Sequence, residues 1–386
     1  MSKLCITLPP FAPDYSGAAS MLFDLGGMIV IHDAAGCTGN YLGYDEPRYF
    51  NSTSLVFCSA LRHMDAILGN DDALIEKIVK AAHDLKPKFI AILGSPVPMI
   101  IGTDFQGIAH ELEMRLSLPC FGLDTKGLSY YTKGASLAII ELVKRFAKSP
   151  TEKNGINILG ASPLDFFSNE NVRSFISLFE KNKIPVHAIF GMENSLEKIS
   201  DCLNAKLNLV VSVSGIEAAH FMKKKFDIPF ICTCPIGDGK RVLEKVQNAL
   251  FEKAEIAEIK NCDNATEYIL IVGDEIINHA ICDEILEKAK MSEKKIAVVC
   301  GNLFFENESK NENAIFLHNE TELRKLLREN KFQKIIADPL IKDLCSGNEK
   351  FYELPHPAIS SRIHWNETKK FLSLDFEKFL EKIILD

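Results

Sequence analysis

Residues Phe89-Ile90-Ala91-Ile92-Leu93-Gly94-Ser95-Pro96 show the pattern from which the fold class can be predicted. A short run of aliphatic residues is followed at once by small residues and a proline. An apolar run without polar alternation predicts a parallel strand that is buried on both faces. The pattern recurs in further runs, which lie at residues 156–160, 207–212, 269–273, 296–301 and 335–339. We therefore expect parallel sheets, with ligands at the carboxyl ends of the strands, where the small residues lie.

Amphipathic helical segments separate these strands and complete repeated βα units. The segment from Asp71 to Val79 begins with two acidic residues, which the positive end of the helix dipole favours. Two polar, charged joints, at residues 148–155 and 258–264, divide the chain. The sequence thus predicts an α/β protein of several Rossmann-like lobes, with parallel sheets flanked by helices. We place the lobes at residues 1–150, 151–262 and 263–386, each within the usual size of a domain.

The composition excludes several classes of protein. The 386 residues include 47% apolar and 25% charged side chains, and the net charge is −8. This acidic balance argues against nucleic acid as a partner, since nucleic acid requires a basic face. No membrane contact is expected, because no apolar stretch is long enough to span a bilayer. The N-terminus does not resemble a secretory signal, and the eleven cysteines are odd in number. We therefore predict a cytoplasmic protein without a disulfide framework.

The first 60 residues differ from the rest because they are dense in glycine, proline, tyrosine and cysteine. An apolar run, Met28-Ile29-Val30-Ile31, leads into a turn that presents Cys37 between Gly36 and Gly39. Glycines allow a bulky group to approach the backbone, and cysteine thiolates are the ligands of iron–sulfur clusters. The turn therefore suggests a cluster site, while a cysteine that only packs a tight turn is the alternative. No Cys-x-x-Cys pair lies nearby, so the motif differs from that of a ferredoxin.

Several motifs of this region resemble the nitrogenase component 1 type oxidoreductase family. A strand followed by His-x-x-x-Gly-Cys occurs at residues 31–37, and Ser-x-Leu-x-x-x-Asp-x-x-x-Gly occurs at residues 59–69. Residues 94–104 resemble the family's turn into an Ile-Gly-Asp helix start, and residues 119–130 resemble a later Pro-Val to Gly-Phe segment. The likeness is good over residues 14–145 and looser beyond them. The chain is shorter than the nitrogenase subunits themselves.

The resemblance implies a catalytic component of a nitrogenase-like two-component reductase. The family includes the nitrogenase catalytic component, the dark-operative protochlorophyllide reductase and the nickel-sirohydrochlorin reductive cyclase. Its members hold an iron–sulfur cluster near a subunit interface and receive electrons from a separate, ATP-hydrolysing iron protein. By resemblance we expect a 4Fe-4S cluster, a homodimer or a heterodimer with a homologous subunit, and an ATP-dependent iron protein as partner. The substrate does not follow from the resemblance.

The resemblance also indicates which residues would hold the cluster. The family has three cysteines per subunit at this place, and Cys37 matches the central one. Asp14 stands near the position of the first and Ser95 near that of the third, whereas Cys58 lies where most members have no ligand. The expected metal ligands are Cys37, Cys58 and Asp14. The expected cofactor contacts are Gly36, Gly39, Ser95 and Tyr15. Two thiolates from each of two subunits, Cys37 and Cys58, would give a set of four.

Titratable residues near the expected cluster are candidates for catalysis. His32, Asp45 and Glu46 are expected to donate protons during reduction, and Arg48 to hold an anionic substrate. His356 lies in a proline-bounded loop, which suggests a pocket residue. A solvated loop and a packing histidine are the alternatives at these positions. No Gly-x-x-x-x-Gly-Lys-Ser/Thr loop occurs, so ATP hydrolysis is expected of the partner and not of this chain.

Two other functions remain open from the sequence. A non-catalytic scaffold for the assembly of an iron–sulfur cluster or metallocofactor would release its cluster to an acceptor. A metal-free, Rossmann-lobed protein that binds a small molecule would bury Cys37 and Cys58 separately and far apart. No residues clearly match the two ligands of the family's large molybdenum–iron cofactor, so nitrogen fixation is not expected.

Overall fold

The chain folds into three α/β lobes, each built on its own parallel sheet. The structure is a computed structural model that describes residues 6–52, 54–251, 259–262, 264–306 and 313–386. Within these residues the strands form three sheets, and all the strand pairs in them are parallel. The predicted α/β class is therefore confirmed.

The first sheet has four strands in the order β2-β1-β3-β4. The elements of this lobe are α1 (Asp14–Leu22), β1 (Met28–Ile31), α2 (Gly36–Asn40), β2 (Leu55–Cys58), α3 (His63–Leu68), α4 (Asp71–Leu85), β3 (Ile90–Leu93), α5 (Pro96–Ile101), α6 (Phe105–Leu116), β4 (Cys120–Leu123) and α7 (Tyr131–Phe146). The last residue of β1, Ile31, lies opposite Cys58 in β2 and Leu93 in β3. The segments that follow these three strands consequently meet at one edge of the sheet.

The second sheet also has four strands, in the order β6-β5-β7-β8. The elements of the second lobe are β5 (Asn154–Ala161), α8 (Pro163–Phe166), α9 (Asn169–Lys181), β6 (Val186–Gly191), α10 (Leu196–Ser200), β7 (Ala205–Val210), α11 (Ile216–Phe226), β8 (Phe230–Cys232) and α12 (Lys240–Leu250). The central strand β5 is buried along almost its whole length, as its continuous apolar run predicts.

The third sheet has five strands in the order β11-β10-β9-β12-β13. The elements of the third lobe are β9 (Glu267–Asp274), α13 (Glu275–Met291), β10 (Ile296–Phe304), β11 (Ala314–Phe316), α14 (Glu320–Glu329), β12 (Lys334–Ala337), β13 (Lys350–Glu353), α15 (Pro357–Ser360) and α16 (Leu374–Leu385). All six strands predicted from apolar runs are present in the three sheets.

A close contact between two helices of the first lobe positions one wall of the candidate site. Helices α1 and α7 approach so closely that a Cβ atom at Gly17 would lie 1.9 Å from the Tyr131 carbonyl oxygen. A Cβ at Gly134 would lie 1.7 Å from the carbonyl oxygen of Asp14. Only glycine fits such an approach of two backbones. The contact fixes the start of α1, which carries Tyr15.

The division into lobes differs from the expectation at the N-terminus. The backbone N–H groups of Ile6, Thr7 and Leu8 donate to the carboxylate of Glu320, at distances of 2.9–3.1 Å. Residues 6–8 therefore lie on the third lobe and not on the first. Each sheet otherwise falls within one expected lobe. The boundary expected between residues 262 and 263 stays a prediction, because residue 263 is outside the described residues.

The described cysteines are all free thiols. Cys202, Cys282 and Cys300 are buried, whereas Cys262 is exposed. None of the helices in the described ranges has both the length and the apolar character needed to cross a bilayer.

Candidate functional site

Cys37 lies in the segment that follows β1, where the chain turns sharply into α2. Asp33 shapes this turn, because its carboxylate accepts the N–H groups of Ala35 (3.0 Å) and Thr38 (3.1 Å). Ala35 is held at φ 147°, a conformation that favours glycine and strains a side-chain-bearing residue. The turn leaves the Cys37 side chain half-buried at the edge of the sheet.

Cys58 reaches the same place from the neighbouring strand. It is the last residue of β2, and its Sγ donates to the backbone carbonyl of Asp33 at 3.2 Å. The N–H group of Ala60 in turn donates to this sulfur at 3.3 Å. Cys37 contacts the side chain of the same aspartate. Both half-buried thiols are thus placed around Asp33.

Two hydroxyl groups surround the thiol of Cys37. The side chains of Tyr15, on α1, and Ser95, after β3, both hydrogen-bond to it. Burial raises the pKa of the Cys37 thiol, and the hydrogen bond that the Tyr15 hydroxyl donates opposes the rise by stabilising the thiolate. Ser95 is itself fixed by donating its hydroxyl proton to the His32 carbonyl at 2.8 Å. The structure therefore brings together Cys37, Tyr15 and Ser95.

The surface around Cys37 is open on the side of the glycines. A Cβ atom added at Gly36, Gly39 or Gly43 would meet nothing within 4 Å. A glycine in a helix lowers stability by about 1 kcal/mol relative to alanine. No close contact within this chain requires glycine at these three positions. The open backbone matches the approach of a bulky group or of a second protein chain.

Exposed apolar side chains border this edge of the sheet. Helices α3 and α5 follow Cys58 and Ser95 and contact each other. Their outward side chains are between 41% and 76% exposed, and we call them the apolar rim: Met64, Ile67, Leu68, Val97, Ile100 and Ile101. An apolar patch of this kind marks an interaction surface.

The carboxylate of Asp14 is engaged with backbone N–H groups, and its expected ligation of iron stays a prediction. Its two carboxylate oxygens accept the backbone N–H groups of Gly127 (2.7 Å) and Lys126 (3.0 Å). The side chain is buried, and burial raises its pKa. Ligation of iron by Asp14 would leave two N–H groups without these partners.

Glu46 and Arg48 are a buried ion pair, which corrects their expected roles. The Arg48 guanidinium donates to both carboxylate oxygens of Glu46 at 2.7 Å. It also donates to Asp24 at 2.7 Å and to the Ser20 carbonyl at 2.9 Å. Every guanidinium nitrogen is thus engaged, so Arg48 does not present a free charge to an anionic substrate. Glu46 is fully occupied by this pair and by the Tyr41 hydroxyl at 3.0 Å.

Asp45 keeps the features of a proton donor. It accepts hydrogen bonds from Ser16 (2.7 Å) and Asn40 (3.0 Å), and it is close enough to Tyr15 to raise that residue's pKa. Burial raises the pKa of Asp45 to about 6, against the opposing hydrogen bond from Ser16. A carboxyl group with a pKa near neutrality can hold and release a proton at working pH.

The two expected histidines lie in different places. The Nδ1 atom of His32 is 2.8 Å from the Ser59 hydroxyl, and the ring borders a 280 Å³ cavity between α3 and α5. Burial lowers the pKa of His32. His356 is buried where the three lobes meet, with its Nε2 atom 3.8 Å from an Asp165 oxygen. Burial lowers the pKa of His356 to about 3. His356 is therefore not grouped with the cysteines.

Two residues of the site were missed by the sequence reasoning. Asp33 organises both cysteines, and Ser59 joins the His32 ring to the Asp33 backbone through contacts of 2.8 Å and 3.0 Å. The position of Asp33 in the sequence could have identified it. An aspartate that directly follows a buried strand and precedes a tight turn often accepts hydrogen bonds from the backbone of that turn. Among the described residues, no three His, Cys, Asp or Glu side chains are grouped closely enough to hold a metal ion.

Comparisons with known proteins identify the family. The sequence model of the family described as Nitrogenase component 1 type Oxidoreductase matches residues 13–261. One of the subunits of light-independent protochlorophyllide reductase from Porphyra purpurea is 23% identical over 217 residues, 52% of this chain and 42% of that protein. The corresponding subunit from Leptolyngbya boryana is 22% identical over 196 residues, 47% of this chain and 39% of that protein.

The sequence match covers less than half of the length of these relatives. The structural match, in contrast, covers the whole of this chain. A solved structure, "Nitrogenase Cp1 at pH 6.5", superposes with a TM-score of 0.71 at 15% identity and covers 100% of this chain and 94% of the other. The expected resemblance and the nitrogenase component 1-like fold are both confirmed. The chain belongs to the nitrogenase component 1 type oxidoreductase family.

Proposed function

We propose that this chain is the iron–sulfur-cluster-containing component of a nitrogenase-like two-component reductase. The observation that carries the proposal is the placement of Cys37 and Cys58 around Asp33, at a glycine-lined, open edge of the first sheet. Family membership supports a generic iron–sulfur cofactor and a reductase. The 4Fe-4S type, the iron protein as electron donor and the reduction of a substrate are part of the proposal.

The thiols of one chain fit half of a cluster site. A 4Fe-4S cluster takes four thiolates, and the described part of one chain brings two cysteines to this edge. Ser95 stands at the position of the family's third cysteine, and its hydroxyl is engaged with the His32 carbonyl. A second subunit related by a twofold axis would bring a second pair to the same place. We therefore propose a cluster shared between two subunits, ligated by Cys37 and Cys58 of each.

The apolar rim supports this assembly. Fully burying an Ile, Leu or Met side chain contributes about 1.5–3 kcal/mol, so half-buried rim residues from two subunits together contribute on the order of 10 kcal/mol. Association costs about 4–15 kcal/mol, so this contribution is of the size that a stable dimer needs. We propose that the rim packs against the partner subunit, which is a second copy of this chain or a homologous one.

The residues around Cys37 would influence the redox potential of a bound cluster and the supply of protons near it. An iron–sulfur cluster supplies one-electron transfer, and hydrogen bonds to its sulfur ligands set its potential. Tyr15 would provide such a hydrogen bond to the Cys37 sulfur. Asp45, close to Tyr15, would hold a proton near this centre. Electrons would come from an ATP-dependent iron protein, as in the family. The substrate is not part of the proposal.

The proposal is tested by measuring iron and acid-labile sulfide in protein purified without oxygen. We expect about four irons per dimer, with loss of iron in Cys37→Ala and Cys58→Ala. Cys345→Ala is the matched control, because Cys345 is a half-buried thiol of the third lobe. Wild-type protein that stays free of iron after reconstitution would rule out the cluster. Full iron content in both cysteine variants would rule out the assigned ligands.

A second measurement separates a resident cofactor from an assembled cargo. The loaded protein is incubated with an apo-ferredoxin, and the spectrum of the acceptor is followed. Retention of the cluster is expected of a reductase component. Rapid and complete transfer would support the scaffold function instead.

A further inference from the structure

A cavity with a volume of 180 Å³ lies between the first and third lobes. Its walls include residues 127–130 after β4, Leu303 near the end of β10, and Leu317 directly after β11. Side chains from the segment 8–13 close it on another side. Ligands of parallel α/β proteins bind outside the carboxyl ends of the strands, and this cavity occupies such a place in two lobes at once. We call it the interlobe pocket.

Hydrogen bonds hold the walls of the interlobe pocket in place. The backbone N–H of Asp14 donates to the Ser129 carbonyl at 3.0 Å, and the Asp14 carboxylate accepts the N–H of Gly127 at 2.7 Å. On the third lobe, the N–H of Leu317 donates to the Asn302 carbonyl at 2.9 Å. The pocket is therefore preformed, as is usual for sites that bind small molecules.

The lining of the interlobe pocket is mainly apolar and partly aromatic. The rings of Phe11 and Tyr130 lie side by side in its wall, with their centroids 5.7 Å apart. Leu8, Leu303 and Leu317 add aliphatic surface, and each of them is at most 4% exposed. An apolar cavity of about 150 Å³ is large enough to bind benzene. The interlobe pocket therefore fits one aromatic ring with a small substituent.

The charged group in the lining is already compensated. The carboxylate of Glu320 accepts the N–H groups of residues 6–8 and the guanidinium of Arg324, the latter at 2.7 Å. The Asn319 side chain accepts the N–H of Glu322 at 3.0 Å and donates to its carboxylate at 3.1 Å. The described residues that line the pocket include no lysine or arginine. A charged ligand would lose its hydration without gaining an opposite charge, so an uncharged ligand is favoured.

Polar groups for a ligand lie at the mouth of the interlobe pocket. Ser129 and His318 both line the pocket and are exposed, and Leu128, which is 64% exposed, borders the same opening. A hydroxyl group on the ligand can exchange hydrogen bonds with the Ser129 hydroxyl and the His318 ring. Its aromatic ring then stays among the apolar side chains.

We propose that the interlobe pocket binds a small, uncharged molecule with one aromatic ring and a hydroxyl or similar polar group, such as a phenol. The ring lies among the leucines, Phe11 and Tyr130, and the polar group faces the mouth. No cysteine lines the pocket within the described ranges, so binding is independent of an iron–sulfur cluster.

The interlobe pocket is nevertheless connected to Cys37 by contacts. Gly127 lines the pocket, and a Cβ atom at this residue would lie 3.3 Å from the Tyr15 ring. The Tyr15 side chain in turn hydrogen-bonds to Cys37. A role of the bound molecule as the substrate of the reductase would rest on the proposed function, whereas its binding does not.

The test is a titration of the full chain with 4-fluorophenol, followed by fluorine NMR. We expect saturable binding of one molecule per chain. Leu317→Trp should abolish this binding, because the larger side chain fills the pocket. Leu128→Glu changes an exposed residue without disturbing the core, and it should weaken binding by placing a charge at the mouth. Leu374→Glu is the matched control, because Leu374 is also 64% exposed and lies on α16.

Two comparisons separate this site from the cluster site and from the apolar rim. Wild-type protein should bind the probe equally well with and without iron, and Ile100→Glu, on the rim, should bind it as wild type does. Absence of saturable binding to wild-type protein overturns the proposal. Binding that survives in both Leu317→Trp and Leu128→Glu, or that is lost in Ile100→Glu, also overturns it. Because the probe is measured on iron-free protein as well, failure of the cluster assignment leaves this result unaffected.

Discussion

Replacing Arg48 by methionine tests whether this residue serves the structure or a substrate. Methionine keeps an unbranched chain to pack near Phe23, whose ring centre lies 4.7 Å from the guanidinium carbon. It removes both guanidinium donors to Glu46, whose side chain is 0% exposed. Glu46 would keep only the Tyr41 hydroxyl and the backbone N–H of residue 48. The substitution thus leaves a buried carboxylate without its cation.

The magnitude follows from this unpaired charge. Removing one partner of a buried ion pair costs about 3–5 kcal/mol, because the remaining charge is no longer compensated. We expect a loss of that size in the free energy of unfolding, measured by urea denaturation at pH 7. Combining Arg48→Met with Glu46→Gln should recover a large part of the loss, since no buried charge remains. Iron content should stay unchanged in the folded variant.

An exposed ion pair gives the matched control. Lys144 lies 3.4 Å from Glu141 on the surface of α7, and its side chain is 52% exposed. Lys144→Met should cost less than about 1 kcal/mol. A loss below about 1 kcal/mol in Arg48→Met, or no recovery in the double variant, would refute the structural role. If Arg48→Met protein were fully stable but lost reductase activity, the result would support the original expectation that Arg48 binds an anionic substrate.

Three further predictions concern strain, pH and assembly. Ala35→Gly should stabilise the chain by about 1–3 kcal/mol, because glycine adopts φ 147° without strain; equal or lower stability in urea denaturation would contradict this. Burial lowers the pKa of His279 to about 4, so its contribution to stability is lost as the pH falls from 6.5 towards 4. His279→Leu should therefore flatten this acid loss in unfolding titrations, and an unchanged slope would argue against it. Ile100→Glu, on the apolar rim, should give monomers without iron in light scattering and iron assays, whereas the exposed Met291→Glu should not.

Local sequence determined the fold class and the position of Cys37. Continuous apolar runs predicted the strands, since a strand buried on both faces needs no polar alternation. The run from residue 28 to 31 is strand β1, and Cys37 follows it at the edge of the sheet. These features depend on residue spacing within a few positions. The placement of Cys58 opposite Ile31 depends on the pairing of β1 with β2 and was not predicted from the sequence.

The partners of buried charges were decided only by the tertiary structure. Asp14 meets Lys126 at a sequence separation of 112 residues, and this backbone contact was not foreseen when Asp14 was expected to ligate iron. His356 meets Asp165 and not the cysteines, because the second and third lobes direct the ends of their strands to one junction. The sequence shows where a carboxylate or a histidine occurs along the chain. Its hydrogen-bond partner depends on how distant segments pack, because a buried polar atom must form its hydrogen bond with a group that the tertiary structure places beside it.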